Sequence, residues 1–172
     1  MNHPDPHQLP PLVDLAPGEI QKEIWRPQFR FFLLKISFVS GLTTVIFGGA
    51  GSFALSLSGF LIWVGAFVIS AAIYAFVFDD YLEWRARKDD VWILTDRRLI
   101  YYNPNDDSSP AFVPLAQVKQ VKRWMFWALR VQLYPRDQVM MVFVPERQLI
   151  KDAILKYVDI AATAAPQKVQ TP

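Results

Sequence analysis

Residues 36–78 read ISFVSGLTTVIFGGAGSFALSLSGFLIWVGAFVISAAIYAFVF and contain no Asp, Glu, Lys, Arg, His or Pro. As one helix this stretch would be about 65 Å long at about 1.5 Å per residue, whereas the hydrocarbon core of a bilayer is about 30 Å thick. We therefore predict a transmembrane helical hairpin over residues 31–78, with helices over 31–50 and 59–78 and a turn near 51–58. Two core helices of a soluble domain are the alternative, but such helices normally carry a polar face and this run has none.

Basic residues flank this hairpin on both sides, while its turn carries no charge. They are Lys22, Arg26, Arg30 and Lys35 before it, and Arg85, Arg87 and Lys88 after it. Because cytoplasmic loops are enriched in Lys and Arg, both flanks and both termini are predicted to be cytoplasmic. Lys35 is the one charge inside the first helix, and its side chain is expected to extend to the headgroup layer.

Composition excludes several classes of function. The chain has 172 residues, a net charge of +2 and no cysteine, so disulfides, thiolate zinc sites and cysteine nucleophiles are ruled out. The low net charge gives no argument for a nucleic-acid partner. His3 and His7 are separated by Pro-Asp-Pro, which could hold a metal, but a flexible tail is the favoured interpretation. No catalytic motif occurs, so the prediction is a non-enzyme without cofactor or metal.

The residue pattern divides the chain into six segments. They are a flexible leader over 1–17, a juxtamembrane segment over 18–30, the hairpin over 31–78, a helical connector over 79–90 that continues the second crossing, a folded domain over 91–162 and a flexible tail over 163–172. The leader is proline-rich with little apolar periodicity, which is typical of flexible chain.

The folded domain has an α+β pattern. Runs rich in β-forming residues predict six short antiparallel strands, at 91–95, 98–102, 111–115, 117–126, 129–133 and 138–144. Apolar residues at helical spacing after Pro145 predict an amphipathic C-terminal helix that closes the sheet. Residues 18–25 add a further strand or lie on the membrane surface.

Three stretches resemble a known group of bacterial membrane proteins. They are Leu15-Ala-Pro-Gly-Glu19 with Trp25-Arg26-Pro27, then WILTDRRLIY over residues 92–101, and VPLAQVKQV over residues 113–121. With the hairpin and the closing helix, their order is similar to that of the bacterial pleckstrin-homology-like (PH-like) domain family in its membrane-anchored, YdbS- and YdbT-like form. The resemblance covers most of residues 15–160. It implies an inner-membrane protein with a curved antiparallel sheet of about seven strands, and it implies no particular activity.

A basic and aromatic segment is the candidate binding surface. No acidic residue occurs between Ser108 and Arg136, and the candidate residues there are Lys119, Lys122, Arg123, Trp124, Trp127 and Arg130. Beside a membrane such a surface could bind anionic headgroups, each cation contributing about 1 kcal/mol. The alternative is a solvated sheet face whose tryptophans pack on the hairpin or in the core.

A second candidate is the turn motif formed by Thr95, Asp96, Arg97 and Arg98. We predict a structural role for it, with Arg97 paired to an acidic residue such as Asp96 and one of the two arginines holding the turn.

These observations predict a membrane-anchored binding or assembly module on the cytoplasmic face, which binds a partner protein that itself resides in the membrane. The alternative function is a sensor or binder of anionic lipid headgroups. A resemblance to the PH-like assembly factor of purple-bacterial photosynthetic complexes is a further alternative that no single residue supports. Nucleic acid is not an expected partner, and a homo-oligomer stays open.

Overall fold

The computed structural model describes residue 10, residues 13–48 and residues 57–164. Within this part of the chain the fold is α+β. The helices are α1 (Phe29–Gly48), α2 (Leu57–Phe76), α3 (Asp80–Arg87) and α4 (Arg147–Ala164). The strands are β1 (Gln21–Trp25), β2 (Val91–Thr95), β3 (Arg98–Tyr102), β4 (Ala111–Pro114), β5 (Val118–Trp124), β6 (Ala128–Leu133) and β7 (Gln138–Val142).

The strands form two antiparallel sheets, one ordered β1-β2-β3-β4 and the other β5-β6-β7. Inward-facing residues of both sheets pack with α4, and their core includes Leu94, Leu99, Leu129, Met141 and Ile154. The six strands and the C-terminal helix expected from the sequence are therefore confirmed.

Strand β2 is buried on both of its faces, as its continuous apolar sequence requires. Its second face, which includes Ile93, packs with Ile100 and with Val13 and Leu15. The sequence assigned these last two residues to the flexible leader. The structure instead places them against the sheet, because β2 has an apolar residue on each side of its pleat.

The two long helices are inserted between neighbouring strands of one sheet. Strand β1 pairs antiparallel with β2, with Trp25 opposite Trp92, although residues 26–90 separate the two strands. Residues 18–25 thus add the seventh strand. Because the chain leaves the sheet at Trp25 and returns at the adjacent Trp92, both ends of the insertion meet the domain at the same place.

Helices α1 and α2, called the helix pair below, are each 20 residues long, or about 30 Å. Both are long and apolar enough to cross a membrane. In the apolar segment Phe29–Ile46, 28% of the residues are buried inside the protein, whereas none is buried in the segment Ser58–Phe76. Each helix begins two residues earlier than predicted, and most of the expected turn at 51–58 lies outside the described residues.

Polar side chains lie between the two helices. Thr43 and Tyr74 share a hydrogen bond of 2.8 Å between their hydroxyl oxygens, and Thr44 donates to the Ser40 carbonyl. Small and hydroxylated residues of this kind permit close helix packing in an apolar environment.

The connector does not continue α2 as the sequence predicted. Helix α2 ends at Phe76, Asp79 has a left-handed backbone with φ 60°, and α3 then begins as a separate helix. The change of direction brings α3 to Lys35, whose Nζ lies 2.8 Å from Asp80 Oδ1 and 2.7 Å from Glu83 Oε2. Two carboxylates of α3 thus hold the Lys35 ammonium group, and the expectation that this group extends to the headgroup layer stays a prediction.

Phe143 joins the domain to the helices. Its buried ring packs against Phe32 of α1 and Trp84 of α3, with centroid distances of 6.0 Å and 5.4 Å. Its φ of 56° breaks the strand alternation after β7, so Val142 and Phe143 both join the cluster with Phe32. Its carbonyl also accepts a hydrogen bond from the Gln28 N–H.

Replacing Phe143 by Ala is expected to destabilise the full chain by about 3–5 kcal/mol, the usual cost of removing a buried Phe ring. The contact between α3 and the domain should loosen, which hydrogen exchange of α3 amides would measure in nanodiscs. Phe112→Ala is the matched control, since Phe112 is 59% exposed. Unchanged exchange in α3 of Phe143→Ala would contradict the docking role of Phe143.

Replacing Lys35 by Met is expected to destabilise the chain by about 1–3 kcal/mol, because Asp80 is left partly buried without its cation and Glu83 keeps only the more distant Arg87 at 3.8 Å. The triple variant Lys35→Met, Asp80→Asn, Glu83→Gln should recover most of this loss. Thermal unfolding in nanodiscs checks both variants. A triple variant no more stable than the single one would show that the charges do not act as a unit.

Candidate functional site

The β5–β6 hairpin brings most of the predicted basic and aromatic residues together. Lys122 lies directly opposite Arg130 in the strand register. The Arg130 guanidinium lies 4.0 Å from the centre of the Trp124 ring. Such stacking holds a planar cation in place while leaving its charge available to an anion.

The tip of this hairpin is apolar and lies beside α1. Trp124, Met125 and Phe126 are 47%, 48% and 39% exposed, and Met125 takes the left-handed backbone of the turn with φ 55°. The Phe126 ring packs edge-on against Phe38 of α1 at a centroid distance of 4.6 Å. Phe38 is about 4.5 Å further along the helix axis than Lys35 at about 1.5 Å per residue. The tip therefore extends along α1 beyond its last charged residue.

Trp127 has a different environment from Trp124. It is partly buried, contacts Phe38 and Phe126 at centroid distances of 6.3 Å and 5.1 Å, and packs with the cluster around Phe143. Trp127 therefore packs on the long helices, as in the alternative of a solvated sheet face whose tryptophans pack on the hairpin.

Arg147 is a further cation at this site, and the sequence analysis did not select it. Its Nη1 donates to the Phe126 carbonyl, and its guanidinium lies 5.3 Å from the Phe31 ring centre. Burial, and then the charge of Arg123, lowers the pKa of Arg147 from its ordinary value. A cation in the first turn of a helix is unfavourable because it opposes the helix dipole. The position of Arg147 as the first residue of α4 is therefore the feature of the sequence that could have drawn attention to it.

Lys119 is separated from the other predicted residues. It lies near the start of β5, within an irregularity of the register, and its Nζ is 5.6 Å from the centre of the Tyr134 ring. Five residues of strand place it about 16 Å from Trp124. We use the name basic ridge for Lys122, Arg123, Trp124, Arg130 and Arg147. Lys122, Trp124 and Arg130 lie on the face of the hairpin away from the core, whereas Arg123, opposite Leu129, lies on the other face, within electrostatic reach of Arg147.

The turn motif binds the segment before β1. The buried Glu19 carboxylate accepts hydrogen bonds from the Thr95 hydroxyl at 2.6 Å, from Arg98 Nε at 2.8 Å and from the Ala16 N–H at 2.8 Å. Asp96 accepts from the Ile20 N–H at 2.8 Å. These bonds fasten the chain just before β1 to the β2–β3 turn.

The two roles expected of the motif, pairing with an acidic residue such as Asp96 and holding the turn, belong to different arginines, Arg97 and Arg98. Arg98 forms the ion pair with Glu19, and the Arg97 Nε lies 3.7 Å from Asp96 Oδ2 with both side chains partly exposed. Burial raises the pKa of Glu19, but the hydrogen bonds from Arg98, Thr95 and Ala16 outweigh burial and lower its pKa from 4.5 to about 2. The motif therefore has a structural role, since it holds residues 16–20 against the β2–β3 turn.

No group of three or more acidic or histidine side chains that could hold a metal occurs in the described part of the chain. His3 and His7 lie outside the described residues. Comparison of the chain with protein-family models, curated proteins and solved structures found no match.

Replacing Glu19 by Gln is expected to lower stability at pH 7 by about 2 kcal/mol, since Arg98 loses its charged partner. The folded-state pKa of Glu19 is about 2 against an ordinary value of 4.5, so its contribution is complete above the ordinary value. The contribution is lost as pH falls toward the folded-state value. The difference in melting temperature between wild type and variant should therefore shrink on acidification, as thermal unfolding between pH 7 and pH 2.5 would measure. A constant difference would contradict this pKa assignment.

Proposed function

We propose that this protein is an integral protein of the bacterial inner membrane that binds anionic lipid headgroups of its own membrane through the basic ridge. In this proposal the helix pair crosses the bilayer twice, both termini are cytoplasmic, and the domain acts as a PH-like binding module without enzymatic activity.

The insertion of the helix pair between β1 and β2 supports two crossings. The chain leaves and re-enters the domain at the paired residues Trp25 and Trp92, so the insertion must begin and end on one side of any membrane. Helix α2 presents large apolar side chains to its surroundings, among them Ile62, Ile69 and Phe76. Water is an unfavourable environment for so continuous an apolar surface, and a bilayer is a favourable one.

The arrangement of the domain supports the PH-like interpretation. Seven antiparallel strands and a C-terminal helix occur in the described residues, as the family resemblance implies, although the strands form two sheets and not the single curved sheet expected. A fold of this kind argues for a binding surface and says little about chemistry.

The contact between Phe126 and Phe38 is the observation that carries the lipid proposal. It holds the ridge beside a helix that is apolar from Ile36 onward, which is the level of the headgroups if α1 crosses the bilayer. None of the four ridge cations, Lys122, Arg123, Arg130 and Arg147, forms an ion pair within the described residues. Unpaired cations at this level attract anionic lipid, and neighbouring Trp and Met side chains suit the membrane interface.

The alternative of a plain solvated sheet face explains the ridge less well. That alternative accounts for packing on the helix pair, as in the case of Trp127, but it gives no reason for three consecutive exposed apolar residues, Trp124, Met125 and Phe126, at the tip. The location of the tip thus favours a membrane surface over water as the medium that the ridge contacts.

The triple variant Lys122→Ala, Arg123→Ala, Arg130→Ala tests this function. The full chain is placed in phosphatidylcholine nanodiscs with a trace of dansyl-labelled phosphatidylglycerol or phosphatidylcholine, and energy transfer from tryptophan to dansyl is measured. Wild type should transfer more energy to the anionic lipid, because about 1 kcal/mol per cation enriches that lipid at the ridge. The triple variant should bring the ratio of the two transfers close to one.

The matched control removes three cations elsewhere, Arg136→Ala, Lys151→Ala, Lys156→Ala, and should keep the wild-type ratio. High salt should reduce the wild-type ratio, since screening weakens exposed charges. Equal transfer to both lipids in wild type, or an equal effect of the two triple variants, would contradict binding at the ridge.

A further inference from the structure

A groove lies between the two sheets at the edge away from the basic ridge. It has a volume of about 410 Å³, which is within the range of protein ligand sites. Its walls come from β2, β3, β4 and β7, and the apolar residues that line it are Trp92, Leu99, Ala111, Phe112, Val113, Val139 and Met140.

Two unpaired strand edges border this groove. Strand β4 is the last strand of the first sheet and β7 is the last strand of the second, so each has one edge without a neighbouring strand in the described chain. A free edge presents unpaired N–H and C=O groups and can bind an added strand.

The hydrogen-bond register identifies which backbone groups are free. At the two ends of the β6–β7 pair, the Leu133 N–H donates to the Asp137 carbonyl and the Phe143 N–H donates to the Trp127 carbonyl. Because bonded and non-bonded positions alternate in antiparallel pairs, the backbone N–H and C=O of Gln138 and Met140 point away from β6. For β4 the starting point is the Leu115 N–H, which donates to the Arg97 carbonyl. By the same alternation the backbone groups of Phe112 and Pro114 point away from β3. Because Pro114 has no N–H, Phe112 is the outward donor of β4.

A further hydrogen-bond donor without a partner among the described residues is the indole N–H of Trp92, a residue that lines the groove. The Trp92 side chain is 3% exposed, and its indole N–H has no acceptor within residues 13–48 and 57–164. A buried donor without an acceptor is uncommon in folded proteins. This indole nitrogen is itself shielded from solvent, so the donors that a ligand can reach are the outward backbone N–H groups of Gln138, Met140 and Phe112. With the apolar side chains of the groove they offer the chemistry that an extended backbone satisfies.

The two ends of the groove differ in charge. At one end Arg87 has acidic neighbours, Glu83 at 3.8 Å and Asp90 at 3.9 Å, whereas Asp106 forms no ion pair among the described residues. The other end is at Gln138, which also lines a smaller cavity with Lys119 and Arg136. The first end thus has an excess of carboxylates over cations, whereas among the described residues at the other end Lys119 and Arg136 outnumber the one carboxylate, Asp137.

We infer that the groove binds an extended segment of a partner protein, which adds a strand to the free edge of β7. The segment has alternating apolar side chains, a basic residue at the Asp106 end and an acidic residue at the Arg136 end. This assigns a second binding surface to the module, independent of the lipid site and on different strands.

The test uses full chain in phosphatidylcholine nanodiscs and fluorescein-labelled synthetic peptides. The peptides are Lys-Val-Thr-Val-Thr-Val-Glu, the same peptide with its charged ends exchanged, and the same peptide with Thr at both ends. Fluorescence anisotropy should show saturable binding of one charged peptide, the order of its charges giving the strand direction. The Thr-ended peptide should bind more weakly.

Met140→Pro removes the outward N–H of β7 without removing a bond of the β6–β7 ladder, and it should weaken binding about tenfold. Met140→Ala is the matched control, which keeps the N–H and should bind within about threefold of wild type. Asp106→Asn keeps an acceptor for Ser108 and should reduce the advantage of the charged peptide over the Thr-ended one, because Lys119 and Arg136 still attract the acidic end of the peptide.

Three results would overturn this inference: no saturable binding of any peptide, equal binding by Met140→Pro and wild type, or wild-type chains that cross-link to one another through β7 and exclude the peptide. The last result would make a second copy the occupant. Asp106→Asn, which changes the loop between β3 and β4 and no residue of the β5–β6 hairpin, should retain the wild-type ratio of energy transfer to anionic and neutral lipid. A failure at the groove is therefore distinguishable from a failure of the lipid site.

Discussion

The packing of Phe143 against Phe32 and Trp84 is the interaction on which the rest of the structure depends. The ring is buried where the end of β7, the start of α1 and α3 meet, so it orients the domain relative to the helix pair. A left-handed backbone is unfavourable for a bulky residue, and here burial of the ring and the hydrogen bonds of its N–H and C=O offset that cost. Without this contact the domain and the helices would be joined by short connections and by the contacts of Phe126, Trp127 and Arg147 with α1.

This docking also explains where the two candidate surfaces lie. The tip of the β5–β6 hairpin contacts α1 through Phe126 and Phe38, and the Trp124 ring with its stacked Arg130 belongs to the same hairpin. The opposite edge of the same sheet, β7, stays unpaired and borders the groove over Trp92. In the two proposals, one surface binds anionic headgroups and the other binds an extended backbone, and the two use different strands.

Local patterns predicted the elements of the fold well, because each pattern follows from the residues themselves. The alternation over 129–133 requires a strand with one buried face, and the apolar spacing of α4 requires a helix with one buried stripe. Patterns predicted contacts between elements poorly. Lys119 belongs to the same basic segment as Lys122 but lies at the other end of β5, and Arg147 joins the ridge from a helix distant in sequence.

The sequence by itself determined the two long apolar helices, the strands and the excess of cations between Ser108 and Arg136, since these follow from hydrophobic periodicity and composition. Only the tertiary structure decided that β1 pairs with β2 around the inserted helices, that Lys35 is paired with Asp80 and Glu83, and that Phe143 turns out of its strand. The physical reason is that each of these features depends on groups far apart in the chain. Their free energies appear only when the fold brings those groups into contact.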